Sequence, residues 1–181
     1  MALDRKALLK NMEGKLKFSD GGDYLKDGIY ENGLEIRNLI IDQKRSGPMF
    51  IAEFIVLSSK PTGEVDKDGK ARLPHPAGSK PSFVVKLDDT NGLGLGNMGK
   101  FLAAVEGVDP KSLTEAQIFA LAEGYTDADQ PARGMIISDA TFNKPTKGKG
   151  TAFTHHRWAN VAQTPEEIMA RRAVQEGKAA A

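Results

Sequence analysis

Hydrophobic spacing divides the chain into strand-like and helix-like stretches. From Leu34 to Ile41 the chain is rich in Leu and Ile, and on a strand Leu34, Ile36, Asn38 and Ile40 would share one face. Ser46-Gly47-Pro48 is a turn signal, and a second strand runs from Met49 to Leu57. There Phe50, Ala52, Phe54 and Val56 form an uninterrupted apolar face, which marks both phenylalanines as mainly core. Ser82 to Leu87 reads as a third strand, closed by Asp88-Asp89-Thr90-Asn91-Gly92. Between the second and third strands, residues 60–81 are rich in proline and charge and poor in apolar side chains. They read as a long surface loop.

The period then changes. Met98, Phe101, Leu102 and Val105 recur at helical spacing, with Asn97 as a cap and Gly107 past the end. Ser112-Leu113-Thr114-Glu115 has the pattern of a capping box and predicts a second helix over 113–123. Strands return with Arg133 to Phe142 and Thr151 to Val161, joined by a hairpin tip rich in Lys and Gly. Thr164-Pro165-Glu166-Glu167 opens a last helix, which Gly177 ends. Ahead of all this, residues 1–13 are compatible with a short amphipathic helix, and residues 14–33 look irregular.

Three strands, a helical segment, two strands and a tail helix are the order of a five-stranded Greek-key barrel, the OB-fold. The expected class is mainly β with α insertions: an OB-like barrel, helices between strands 3 and 4, and a C-terminal helix. The alternative is a generic α+β sandwich. The expected division is an N-terminal extension over 1–29, the barrel over 30–162, and a helix and tail over 163–181.

Composition narrows the chemistry. The absence of cysteine excludes a disulfide scaffold, a Cys-zinc or iron–sulfur site and a thiol nucleophile. No apolar run approaches the roughly 20 residues of a membrane span, and the N-terminus lacks an apolar signal-peptide stretch. The expectation is a cytoplasmic protein with no membrane partner.

Several motif-like stretches fail on their details. Gly94 to Lys100 matches both G-x-G-x-x-G and G-x-x-x-x-G-K, but Phe101 stands where a P-loop needs Ser or Thr, and the preceding strands read as a meander rather than a parallel unit. Glu64, Asp66 and Asp68 resemble the start of a calcium loop whose closing Glu would fall at His75. His155 and His156 are adjacent on a strand and point to opposite faces, so they do not converge on one ion. Asp88 and Asp89 diverge in the same way, as turn acids do. No catalytic residue, metal or cofactor is expected.

Charge is distributed unevenly although the chain is nearly neutral at +1. Residues 133–158 hold five Lys and Arg against Asp139 alone, a net +4, while residues 88–130 hold eight acids against two lysines, a net −6. The basic stretch is also aromatic and histidine-rich. Cations that track phosphates and rings that stack on unpaired bases are what a single-stranded nucleic acid requires. The candidate contacts are Arg133, Phe142, Lys144, Lys147, Lys149, Phe153, His155, Arg157 and Trp158, with Lys44 and Arg45 at the first turn and Lys80 and Lys86 flanking the third strand. On the last strand Phe153, His155 and Arg157 share the side that reads as a stacking surface, while His156 and Trp158 share the other. Whether Phe153 and Trp158 stack on bases or fill the core is open on sequence alone.

With this order and this hairpin, the chain resembles phage-encoded single-stranded DNA-binding proteins of the OB-fold type over about residues 30–162. The likeness lies in Gly33-Leu34-Glu35-Ile36-Arg37, Phe50 to Leu57, Gly99-Lys100-Phe101-Leu102 and Lys149-Gly150-Thr151-Ala152-Phe153 through Trp158. The resemblance implies sequence-nonspecific coating of single strands in replication or recombination, in the host cytoplasm, without a catalytic centre. DNA is the expected partner and RNA the alternative; a homo-oligomer is compatible. Such proteins often end in a flexible acidic tail, whereas Pro165 to Lys178 reads here as a mixed-charge helix. The rival readings are a structural or assembly module that binds protein, and a small nucleic-acid enzyme subunit.

Overall fold

A computed structural model of the chain describes residues 23–89, 91–145 and 152–178, with backbone alone at 143–145 and 152–153. Its elements are β1 (Gly28–Lys44), β2 (Gly47–Val56), β3 (Ser82–Lys86), α1 (Leu93–Glu106), a 3-10 turn (Pro110–Ser112), α2 (Glu115–Tyr125), β4 (Ile136–Pro145), β5 (Ala152–His156), β6 (Ala159–Asn160) and α3 (Pro165–Gln175). All strand ladders are antiparallel, in the order β3-β2-β1-β4-β5, with β6 also on β4. The fold is thus β-rich with helices between the third and fourth strands. The sheet is not closed into a barrel: among the described residues no ladder joins β3 to β5.

Side chains bring those two outer strands together instead. The Phe83 ring of β3 lies 4.7 Å from the His156 imidazole of β5 and 5.0 Å from the Trp158 indole. Phe101 of α1 sits at the centre of this group, with Phe50, Phe54, Phe83 and Trp158 all within 5.1–6.1 Å, each in tilted or edge-on contact. Residues 23–25 run beside β3: Leu25 N–H donates to the Ser82 carbonyl, and Ser82 N–H to that of Asp23.

The core face of β2 is the expected one, with Phe50, Ala52, Phe54 and Val56 all buried. That of β1 differs. The ladder to β2 shifts register between Ile36 and Asn38, leaving Arg37 as an extra residue. A one-residue insertion exchanges the two faces beyond it. The core side therefore reads Leu34, Ile36, Leu39, Ile41, and Asn38 and Ile40 fall on the other side of the sheet. Strand β1 also begins at Gly28, so residues 28–33, expected to be irregular, are strand. A second register shift against β4 between Tyr30 and Leu34 interrupts the apolar alternation that would have marked them.

Two glutamines take the place of missing strand partners. Gln130 bonds both the N–H and the carbonyl of Leu39, and Gln163 does the same for Ile136. Both satisfy backbone groups that would otherwise be stranded at an edge.

Helix boundaries differ from expectation at two places. Helix α1 begins at Leu93, behind a left-handed Gly92, rather than at Asn97. Two glycines are poor helix formers, but a side chain at Gly94 would run into the Lys86 carbonyl, so glycine is what lets the helix approach β3. For α2 the cap is Thr114, whose hydroxyl accepts from Gln117 N–H while Gln117 reaches back to Thr114 N–H. Ser112 instead ends the 3-10 turn that Pro110 opens. Helix α3 has the expected box, Thr164 with Glu167. Residues 57–81 contain isolated bridges but no strand or helix. The expected helix over 1–13 lies outside the described residues.

Candidate nucleic-acid interface

Strand alternation gives the β4–β5 hairpin two unlike faces. Thr141 pairs with His156, Phe142 with His155, and Lys144 with Phe153. Strand β4 meets β1 only as far as Thr141, opposite Gly28, so its last residues extend past β1 with β5 as their partner. The expected single strand over 151–161 is broken after His156. Arg157 still exchanges both backbone hydrogen bonds with Ala140, and β6 resumes on Ile137 and Ser138.

On the inner face lies a buried polar network. The Asp139 carboxylate accepts from His156 Nδ1 at 2.7 Å, from the Thr141 hydroxyl, and from the Arg157 backbone N–H at 2.9 Å. Tyr30, fully buried and opposite Asp139 in the ladder, donates to the Lys26 carbonyl and accepts from His75 N–H. Burial, chiefly, pushes its hydroxyl up to about 12, with the charges of Asp139 and Asp27 adding to the effect. His156 stacks on Trp158, ring centroids 4.9 Å apart and nearly parallel. Trp158 meets Phe54, Phe83 and Phe101 as well, so its rings are engaged by the core.

The outer face carries the chemistry expected of a single-strand contact. His155 and Arg157 are exposed and Phe142 is half-buried. The Arg157 guanidinium lies over the Phe142 ring, 5.2 Å from its centroid, a cation held against an aromatic surface. Phe153 and Lys144 pair in the ladder just beyond, their side chains outside what is described. Lys147 and Lys149 lie outside the described residues.

The other expected contacts fall into two further groups. Lys44, Arg45 and Lys86 gather where β1 turns into β2, since Lys86 pairs with Met49 beside that turn. Lys44 is ion-paired with Asp42, and Lys86 with Asp88 at 3.5 Å. Lys80 and Arg133 meet in a groove beside α3. Arg133 donates to the Arg37 carbonyl and to Asn38 Oδ1, and pairs with Glu176 at 3.4 Å. Asn38 in turn donates to the buried Glu53. Arg133 thus holds the β1 bulge in place. The sequence reading did not single out two residues of this groove, Arg37 and Arg171. Arg37 stood out in the sequence only as the end of the run Gly33 to Arg37 that carries the family resemblance.

The glycine-rich stretch has a packing role. Gly94 N–H donates to Asp89 Oδ2, which puts a carboxylate where a phosphate would lie, and Gly99 faces the Ile118 side chain. Asp66 Oδ1 accepts from the Asp68 and Lys70 N–H groups in a local turn. His75 is buried, with Nε2 2.9 Å from the Tyr24 carbonyl. Among the described residues no group of three or more His, Asp or Glu side chains could hold a metal ion. None of the described helices is long and apolar enough to cross a membrane. The chain matches no protein-family model, no curated protein and no solved structure.

Proposed function

We propose that this chain binds single-stranded DNA without strong sequence preference, as an OB-like protein supporting replication or recombination, and that the β4–β5 hairpin is its main clamp. The observation that carries the reading is the outer face of that hairpin, where the Arg157 cation lies over Phe142 beside an exposed His155, on strands that extend past the sheet. A ring and a guanidinium together take a base by stacking and a phosphate by charge. The strand order β3-β2-β1-β4-β5 with helices after β3 supports the OB-like reading, because it lacks only a β3–β5 ladder to become that barrel. Of the net −6 of residues 88–130, α1 itself carries none, Glu106 being offset by Lys100; the excess acids lie on α2 and in the segments flanking the two helices.

Titration with single-stranded DNA, duplex DNA and RNA at two salt concentrations tests the proposal. Single-stranded DNA should bind most tightly, and affinity should fall steeply with salt as counterions are released. Changing Lys144, Lys147 and Lys149 together to Ala should reduce the log–log salt slope by about 2, at about 0.7 per lost phosphate contact. Salt-independent binding, or none, would refute the reading.

A further inference from the structure

We propose that the groove between the β1 bulge and α3 is a second anion site, which takes phosphodiester groups of the same single strand beyond the hairpin. This rests on the function proposed above. The groove has a volume of about 550 Å³, and its charged lining is Arg37, Lys80, Arg133 and Arg171 against Glu35 and Glu176.

Both acids are already engaged. Gln175 donates to Glu35, while Arg133, Arg172 and Lys178 all reach Glu176. Lys178 and Arg172 hold the Glu176 carboxyl down at about 2, so it stays charged and neutralised by cations. Two of the lining cations are engaged as well. Arg133 braces the bulge, and Arg171 donates to the Gly134 carbonyl and to Gln163.

Arg37 and Lys80 remain, with no ion-pair partner among the described residues. One is the extra residue of a bulge and the other an exposed loop residue, so neither is needed to hold a ladder together. A bulge is a device that re-aims a side chain. Here it brings an arginine into the same groove as a lysine from a loop more than forty residues away in the chain. Ile55 lines the same groove and offers an apolar surface to a sugar or base.

Position along the sheet points to one continuous ligand. Glu35 pairs with Ile136, and Phe142 follows six residues later on β4, roughly 20 Å at the rise of a strand. An extended strand that leaves the hairpin along β4 would reach this groove.

The test compares wild type with the Arg37→Ala, Lys80→Ala double variant on oligonucleotides of about 4 and about 16 nucleotides, the ends of the usual footprint range. On the longer oligonucleotide the variant's salt slope should be smaller by about 1.4, at about 0.7 for each lost contact. On the shorter one, which the hairpin accommodates alone, it should not change. Lys80→Gln alone should reduce the longer oligonucleotide's slope by about 0.7, and keeps the test readable if the double variant melts. An unchanged slope on the longer oligonucleotide overturns the groove while leaving the hairpin intact. Failure of wild type to bind either oligonucleotide overturns both readings. Capture of a polyglutamate peptide that the double variant loses, with oligonucleotide slopes unaltered, assigns the groove to an acidic protein segment and overturns it too.

Discussion

Replacing Trp158 by alanine should cost stability and leave the salt dependence of binding intact. The indole stacks on His156 at 4.9 Å and meets Phe54, Phe83 and Phe101 at 6.0, 5.0 and 5.1 Å, so truncation removes contacts with β2, β3, α1 and β5 at once. A large aromatic lost from such a site costs about 3–5 kcal/mol. In a chain of this size each kcal/mol lowers the melting temperature by about 2–4 °C, so a fall of roughly 6–20 °C is expected. Urea unfolding followed by circular dichroism is the suitable assay, because Trp158 is the sole tryptophan and its removal abolishes indole fluorescence. The midpoint should move to lower urea with an unchanged m-value. Below the transition, single-stranded DNA should bind with the wild-type salt slope. A variant with the wild-type midpoint that has lost about 1–3 kcal/mol of affinity would show that the indole stacks on a base, and would refute its assignment to the core.

Asp139→Asn, which disturbs the acceptor shared by His156, Thr141 and the Arg157 N–H, should lower stability by about 1–3 kcal/mol, read in the same urea experiment. Gly94→Ala should destabilise even though alanine is the better helix former, because its side chain meets the Lys86 carbonyl; a rise in melting temperature would contradict that close approach. Glu176 titrates near 2 in the folded chain against an ordinary 4.5, so its contribution to stability is complete above about 4.5 and is lost as pH falls towards 2. Glu176→Gln should remove that part of the acid dependence, which melting curves between pH 6 and pH 2 would measure. Glu115→Gln with Glu123→Gln should change affinity for single-stranded DNA less than about threefold, a few tenths of a kcal/mol, since α2 is expected to lie away from the phosphates; a large change in a binding titration would place that helix at the interface.

What the sequence revealed depended on whether local pattern and tertiary contact agreed. Strand β2 has no bulge, so its alternation from Phe50 to Val56 maps directly onto the core. Strand β1 carries Arg37 as an extra residue, and a period-two reading is wrong for every residue beyond it. Nothing local distinguishes that insertion, because the groups that stabilise it come from Arg133 and Gln130, more than ninety residues on. The start of α1 was hidden for a similar reason: Gly94 in its first turn serves close approach to β3 rather than helix propensity. The hairpin's division into faces was legible, since His155 and Arg157 fall on the side opposite His156 and Trp158. The groove at α3 was not, because Arg37, Lys80 and Arg171 come from three distant segments and only the fold brings them together.

The two faces of the hairpin depend on each other. On the function proposed above, a clamp that reads no sequence would gain little from each contact and could lose little free energy in ordering itself on binding. The inner face meets that requirement. Asp139 ties Thr141, His156 and the Arg157 backbone into one network, and His156 passes the restraint to Trp158 and the ring cluster around Phe101. A fully satisfied buried polar network of this kind rigidifies what it joins. Each anchored residue adjoins an outward one: Thr141 precedes Phe142, His156 lies between His155 and Arg157, and Trp158 follows Arg157. The cation and ring presented to solvent are therefore fixed at their Cα positions by neighbours that are buried, as Thr141 is, or packed against the core, as His156 and Trp158 are. The core side of the hairpin sets how firmly Arg157 is held over Phe142 and so, on the function proposed above, how much ordering would remain when a single strand binds.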